Sequence, residues 1–193
     1  MNLLESTIQK ITGQDGAARQ RAKARLEQLI MPHWALGRLM DLAEDLAGIT
    51  GSLNPPVKRK TIVTMAGDHG VVAEGVSAYP QEVTPQMVHG IVNGGAGVNA
   101  LSRQAGASVV VVDMGVAGDL SELAAAGKII SRRIAAGTGN MARGAAMSRE
   151  EAIRALEAGI DIACELGSNV DVFGTGDMGI GNTTPSSAIV SVL

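Results

Sequence analysis

Three short apolar runs, Thr61–Ala66, Ser108–Asp113 and Asn169–Phe173, each pass directly into a polar, glycine-bearing turn. They read as strands covered on both faces, an environment that requires helices on each side of a largely parallel sheet. Helical stretches separate them, as that arrangement needs. Thr84-Pro85 reads as an N-cap followed by proline in the first helical position, for a helix ending near Asn93-Gly94-Gly95. A second helix fits Gly97–Gln104. Ser148 with Glu151 forms a capping box for a third, which presents Ile153, Leu156, Ile160 and Ala163 as its apolar face and stops at Gly167. Lys128–Ile134 is a further strand candidate. Strand and helix alternating in this way predict βα units.

The first fifty residues follow another pattern. Residues 2–50 read as helical, with Ala18, Ala22, Leu26 and Leu29 on one face of the second segment and Leu36, Leu39, Ala43 and Leu46 on one face of the third. Ser52-Leu53-Asn54-Pro55-Pro56 then ends the helices, because consecutive prolines lack amide donors and favour extended backbone. The expected division is a small helical part at 1–56 and an α/β part at 57–193.

Composition excludes several function classes. Sixteen Lys and Arg against nineteen Asp and Glu give a net charge of −3, with no basic cluster denser than Lys58-Arg59-Lys60, so the footprint of a nucleic-acid binder is missing. Trp34, Tyr79 and Phe173 are the only aromatics, too few for base-stacking platforms. No apolar stretch reaches the roughly 20 residues of a bilayer span. One cysteine and an N-terminus without a basic, then apolar, leader make a cytoplasmic location the expectation. Cys164 is expected at a core position of its helix. His33, His69 and His89 are scattered and no ligand pair has i, i+4 spacing, so no metal site is expected.

In an open α/β sheet, ligands bind outside the carboxyl ends of the strands, so the turns Gly67–Gly70, Asp113–Gly115 and Gly174–Thr184 should share one rim. In the third turn, glycines let backbone amides approach an anion, while Asn182, Thr183 and Thr184 supply donors where a helix begins. Thr183 or Thr184 is the expected cap of that helix. Gly174, Gly176 and Gly179 also satisfy G-x-G-x-x-G, which leaves a dinucleotide oxidoreductase as a competing reading. Asp68 and His69 either contact a ligand and exchange a proton or form a local turn. Asp113 and Asp177 either orient ribose hydroxyls or a cationic ring, or cap the turns that follow them. Met65, Met114 and Met178 lie beside the rim.

Three segments carry a resemblance: Gly67-Asp68-His69-Gly70-Val71 leading into Gly75–Thr84; Asn93-Gly94-Gly95-Ala96-Gly97-Val98-Asn99; and Gly176-Asp177-Met178-Gly179-Ile180-Gly181-Asn182-Thr183-Thr184-Pro185. In this order they resemble the nicotinate-nucleotide:dimethylbenzimidazole phosphoribosyltransferases, from about Lys60 to the end of the chain. The resemblance implies a Rossmann-like parallel sheet with helices on both faces, a small helical N-terminal domain, a homodimer, and no cofactor or metal. It implies transfer of the phosphoribosyl group of nicotinate mononucleotide to 5,6-dimethylbenzimidazole, for the cobalamin lower ligand. On this reading Gly176, Asp177, Gly179, Ile180, Gly181, Asn182 and Thr183 hold the phosphoribosyl group, and Ser77, Gln86 and Met178 lie at the acceptor. Asp68, His69 and Asp113 support the rim.

Asp177 stands where many members of that family carry Glu, one methylene longer. The family's catalytic glutamate is expected beyond Leu193, so the chain reads as C-terminally truncated, and no acid within it is given that role. Two alternatives remain: a related transferase with another azole or a phenolic acceptor, and a non-catalytic nucleotide-binding module.

Overall fold

The computed structural model describes residues 2–32 and 34–193, so His33 lies outside the described residues. The chain divides into two compact units, Met1–Val57 and Lys58–Leu193.

The first unit holds α1 (Leu3–Lys10), α2 (Gly16–Glu27) and α3 (Arg38–Thr50). Asn2 and Glu5 cap α1 reciprocally, and the Asp15 side chain accepts from the Ala18 amide at the start of α2. Ala18 and Ala22 are buried as their spacing predicts, whereas α3 buries Met40, Ala47 and Gly48 and leaves Leu39 exposed, as is Leu36 just before the helix. The reason lies in the α2–α3 contact. A β-carbon on Gly48 would stand 2.7 Å from Cγ of Arg19, so the glycine lets the Arg19 side chain lie against α3 at this point. The Arg19 guanidinium then bonds Gln14 and Asp45, fixing that face of α3 toward α2.

The second unit is built on four parallel strands in the order β3-β2-β1-β4: β1 (Lys60–Gly67), β2 (Ala107–Gly115), β3 (Ile130–Ser131) and β4 (Val172–Met178). Helices α4 (Val83–Val92), α5 (Gly97–Ala105) and α6 (Ser121–Ala125) pack on one face, where Val88, Ile91 and Leu123 meet Ala66 and Val111. Helix α7 (Arg149–Gly167) covers the other, where Ile162 and Leu166 meet Val63 and Val112. An eighth helix, α8 (Thr183–Val190), follows β4. The α/β fold with helices on both faces of a parallel sheet is thus observed.

Several local expectations need correction. The third strand begins at Val172, not Asn169, because Asp171 is spent on the Lys58 and Arg59 amides at the lower end of β1. Residues Gly174–Met178 are therefore strand rather than turn, paired with Ile62–Ala66. β4 is also exposed along much of its length, since it forms an edge of the sheet. Thr84 is not a cap: α4 starts at Val83 after Glu82, and Thr84 is fully buried inside its first turn. Helix α7 buries Ala158 and Ile162, while Leu156 and Ala163 are exposed, so its inner face is rotated from the expected one. That rotation puts Cys164 on the outside, where it is exposed rather than in the core. Asn182, not Thr183 or Thr184, precedes the first residue of α8.

Candidate ligand site at the carboxyl edge of the sheet

β1, β2 and β3 are laid down in one direction, with α4, α5 and α6 on one face; α7 then carries the chain back across the other face to β4, on the far side of β1. The sheet reverses its order between β1 and β4, and a crevice at such a reversal is the usual ligand position in an open α/β sheet. The turns after β1 and β4 meet there, tightly. A β-carbon on Gly179 would stand 2.0 Å from the Gly67 carbonyl oxygen and 3.1 Å from His69 Nε2, so no larger residue fits. Gly181 takes φ +79°, a left-handed conformation that glycine adopts without strain, and packs beneath Val72 and Val76. The Ile180 amide donates to Thr84 Oγ1 at 3.1 Å, a buried bond from the loop to α4. That bond is why Thr84 lies inside its helix: its hydroxyl holds the glycine loop in place.

The predicted residues separate into groups. Gly176, Asp177 and Met178 lie on β4; Gly179, Ile180, Gly181 and Asn182 form the loop; Thr183 opens α8. Asn182 Nδ2 donates to Asp177 Oδ2 at 2.6 Å, tying loop to strand. Met178 is half-buried against the α4 side of the core. Ser77 Oγ accepts from the Tyr79 amide at 3.2 Å in the segment before α4, and Gln86 is exposed on α4. Asp113 is buried and its Oδ1 accepts from the Gly115 and Val116 amides at 3.0 and 2.9 Å, so it caps the turn after β2. Asp68 is 1% exposed. Its Oδ2 accepts from the Ala117 amide at 2.8 Å, while Oδ1 is buried without a partner among the described residues. His69 is lowered from its ordinary pKa because burial opposes its charge more than the Asp68 and Asp177 carboxylates favour it.

A cavity of about 570 Å³ opens beside this crevice, on the β2 side of His69. Gly67, Asp68 and His69 form one wall and Met114 and Gly115 another; the rest comes from residues 134–139 and 145–148 and from Glu151 and Ala155 of α7. Ser77, Gln86, Met178 and the 179–183 loop do not line it. Sequence reasoning missed the 134–155 contribution. Gly137-Thr138-Gly139 is another polar glycine turn after a strand, the same signal that marked the other three. It lies close to β1: a β-carbon on Gly70 would stand 2.6 Å from the Gly139 carbonyl carbon, and the Thr138 amide donates to the Asp68 carbonyl at 3.0 Å. Glu74 Oε1 then accepts from Asn140 Nδ2 and Arg143 Nε, at 2.6 and 2.8 Å. Among the described residues, no three His, Cys, Asp or Glu side chains gather as a metal site, and no helix is long and apolar enough to cross a membrane.

The sequence model of a phosphoribosyltransferase family matches residues 11–193. The chain is 66% identical over 193 residues to the nicotinate-nucleotide–dimethylbenzimidazole phosphoribosyltransferase of Syntrophotalea carbinolica, covering all of this chain and 55% of that one. It is 59% identical over 192 residues to the protein of the same name from Desulfotalea psychrophila, covering all of this chain and 54% of that one. The crystal structure of the Thermus thermophilus nicotinate-nucleotide–dimethylbenzimidazole phosphoribosyltransferase superposes with a TM-score of 0.86 at 43% identity, over 92% of this chain and 53% of that one. The chain spans about half the length of the curated relatives it matches.

Proposed function

The chain belongs to the phosphoribosyltransferase family matched over residues 11–193, and we propose that it carries the phosphoribosyl-binding part of an enzyme that moves this group from nicotinate mononucleotide to 5,6-dimethylbenzimidazole. The products are nicotinate and α-ribazole 5′-phosphate, in cobalamin biosynthesis. The names of the relatives support the substrates. The observation that carries the reading is the loop at the β1/β4 crevice, where Gly179 and Gly181 leave the backbone bare at the start of a helix.

On this reading the phosphate sits in the Gly179–Thr183 loop, against amides other than those of Ile180 and Asn182, which already donate to Thr84 Oγ1 and the Gly179 carbonyl, and Asp177, steadied by Asn182, faces the ribose hydroxyls from the end of β4 beside Gly176. Ser77, Gln86 and Met178 lie toward the acceptor. Asp68 and Asp113 hold the neighbouring turns by their backbone bonds, and His69 feels the charge of both the Asp68 and the Asp177 carboxylates. In the reaction, an azole nitrogen bonds to the anomeric carbon as the nicotinate nitrogen leaves from the opposite side, which inverts the centre and gives the α-linkage. The azole then loses its ring proton, and no residue of 1–193 is assigned as the base that takes it. We assign the working enzyme as a cytoplasmic homodimer.

Two measurements test this. Incubation of residues 1–193 with both substrates should give negligible α-ribazole 5′-phosphate; robust turnover would show that the base is present after all. Calorimetry with nicotinate mononucleotide should show weak binding that Gly179→Ala removes, because the added methyl collides with the Gly67 carbonyl. Equal binding by the folded variant would overturn the loop assignment.

A further inference from the structure

A second cavity opens toward the amino end of the sheet, where α4 and α5 meet β2, and holds about 240 Å³. Its β2 residues include Val109 and Val111, whereas the strand reaches the first cavity only at Met114 and Gly115. From Val109 to Gly115 is about 20 Å of strand, so the two are separate places. The floor of the second cavity is apolar, made by Ile91 and Val92 at the end of α4 together with Val109 and Val111. Val92 and Val109 are only partly buried against the core, and hydrocarbon is left uncovered there.

The rim above this floor is positive. Arg103 of α5 and Lys128, just after α6, line the cavity, and no Asp or Glu does. Among the described residues neither cation forms an ion pair. Arg103 Nη1 donates to the Gly94 carbonyl at 3.1 Å, which anchors the guanidinium and leaves its remaining N–H groups for another acceptor. The Lys128 amide donates to the Leu123 carbonyl at 2.9 Å, which fixes the point from which that side chain starts. The carboxyl end of α5 would by itself repel an anion, but Lys60 Nζ donates to the Ala105 carbonyl at 2.7 Å and offsets it. The two uncharged polar side chains on the wall differ. Asn99 is spent locally, accepting from the Ala96 amide and donating to the Ile91 carbonyl at 3.1 and 3.0 Å. Ser102 is 4% exposed, and its hydroxyl has no partner among the described residues, although a polar group at that depth needs one.

We propose that this cavity is a second ligand site, for a small carboxylate with an aliphatic body. The hydrocarbon rests on the valine and isoleucine floor, and the carboxylate accepts from Lys128, Arg103 and the Ser102 hydroxyl. A neutral molecule of the same shape leaves both cations without a counter-charge. Inorganic phosphate supplies charge but nothing to cover the floor, and it keeps its water. The volume is below the usual range for drug-sized ligands, which limits the occupant to a few carbon atoms. The inference stands on this cavity alone and uses no residue of the phosphoribosyl loop, so it and the transferase reading can each fail without the other.

The probe is 3-methylbutanoate, titrated into nitrogen-15-labelled residues 1–193 and followed by amide chemical shifts, which report where the ligand binds. The amides of Ser102, Arg103, Val109 and Lys128 should move in one saturable transition with a millimolar dissociation constant, as expected for charges on an open rim, while those of Gly179, Gly181 and Thr183 stay in place. 3-Methylbutanamide, the uncharged isostere, and inorganic phosphate should each move the first group at least fivefold more weakly. Lys128 is exposed, so its variants should keep the native spectrum. Lys128→Gln should weaken 3-methylbutanoate at least threefold, and Lys128→Glu should remove saturation. Absence of a saturable shift at these amides, equal binding of the amide or of phosphate, or a dissociation constant unchanged within twofold in Lys128→Glu would each overturn the proposal.

Discussion

His69 is held neutral by a balance that pH can shift. Burial disfavours the imidazolium, the Asp68 and Asp177 carboxylates favour it, and burial is the larger effect, so the folded chain titrates His69 below the ordinary value of 6.5. The unfolded chain then binds the proton more readily. Stability associated with this group is fully present above about pH 6.5 and is lost as pH falls through that value toward the lower folded one. Thermal melts of the wild-type chain between pH 7.5 and 5.5 should show a falling midpoint, and His69→Gln should flatten the slope. A slope that persists unchanged in His69→Gln would place the titrating group elsewhere. The sequence showed that Asp68 and His69 stand at a strand end but not which role each plays. That depends on Ala117 and Asp177, which lie 49 residues after Asp68 and 108 after His69 in the chain.

The start of β4 depends on one carboxylate. Asp171 accepts from the Lys58 and Arg59 amides at 3.0 and 2.8 Å, and its other oxygen receives the Arg59 side chain through Nε and Nη2. The Arg59 guanidinium and these amides hold the Asp171 carboxyl down from 3.8 to about 2. Because the folded value is depressed, its contribution is present above about pH 3.8 and lost as pH falls toward 2. Acid unfolding followed by circular dichroism should therefore be less pH-dependent over this window in Asp171→Asn, which should also be less stable at pH 7. Helix α7 shows the same dependence on partners distant in sequence. Its ends were legible, since Ser148, Glu151 and Gly167 act locally, but its inner face was not: Ile153 and Ile160 give as good a stripe as Ile162 and Leu166 until the strands it covers are in place. Ile162 is 1% exposed, so Ile162→Ala should cost about 2–5 kcal/mol in urea melts. Leu156→Ala, on the exposed side, should stay within about 0.5 kcal/mol. Equal losses would mean that α7 sits in the rotation read from the sequence.

Across the second unit, burial is uneven in a way that fixes where the chain opens first. β1 lies between β2 and β4, and β2 between β1 and β3, with Val63, Ala66, Val111 and Val112 buried on the two faces. β4 pairs on one side only and carries exposed Val172 and Phe173. Helix α8 has no buried residue, and Ile189 and Val190 are exposed. An amide exchanges with solvent either by local opening or by global unfolding, and local opening is cheapest where little apolar surface must be uncovered. Opening α8 uncovers only the partly buried Thr184, Pro185 and Ala188, whereas freeing the amides of β2 requires separating both helical layers from the sheet. Native-state hydrogen exchange should accordingly rank the amides of Val110–Val112 slowest, those of β4 intermediate and those of α8 fastest. The α8 amides should open at a free energy well below that of global unfolding and with little dependence on denaturant. Since Thr183 begins this helix and the 179–182 loop leads into it, a ligand phosphate bound at the loop should slow exchange at the first turn of α8 before it affects β2. Protection appearing at β2 and α8 together, in proportion, would instead mean that the unit opens as a single cooperative block, and that the loop gains no local order on binding.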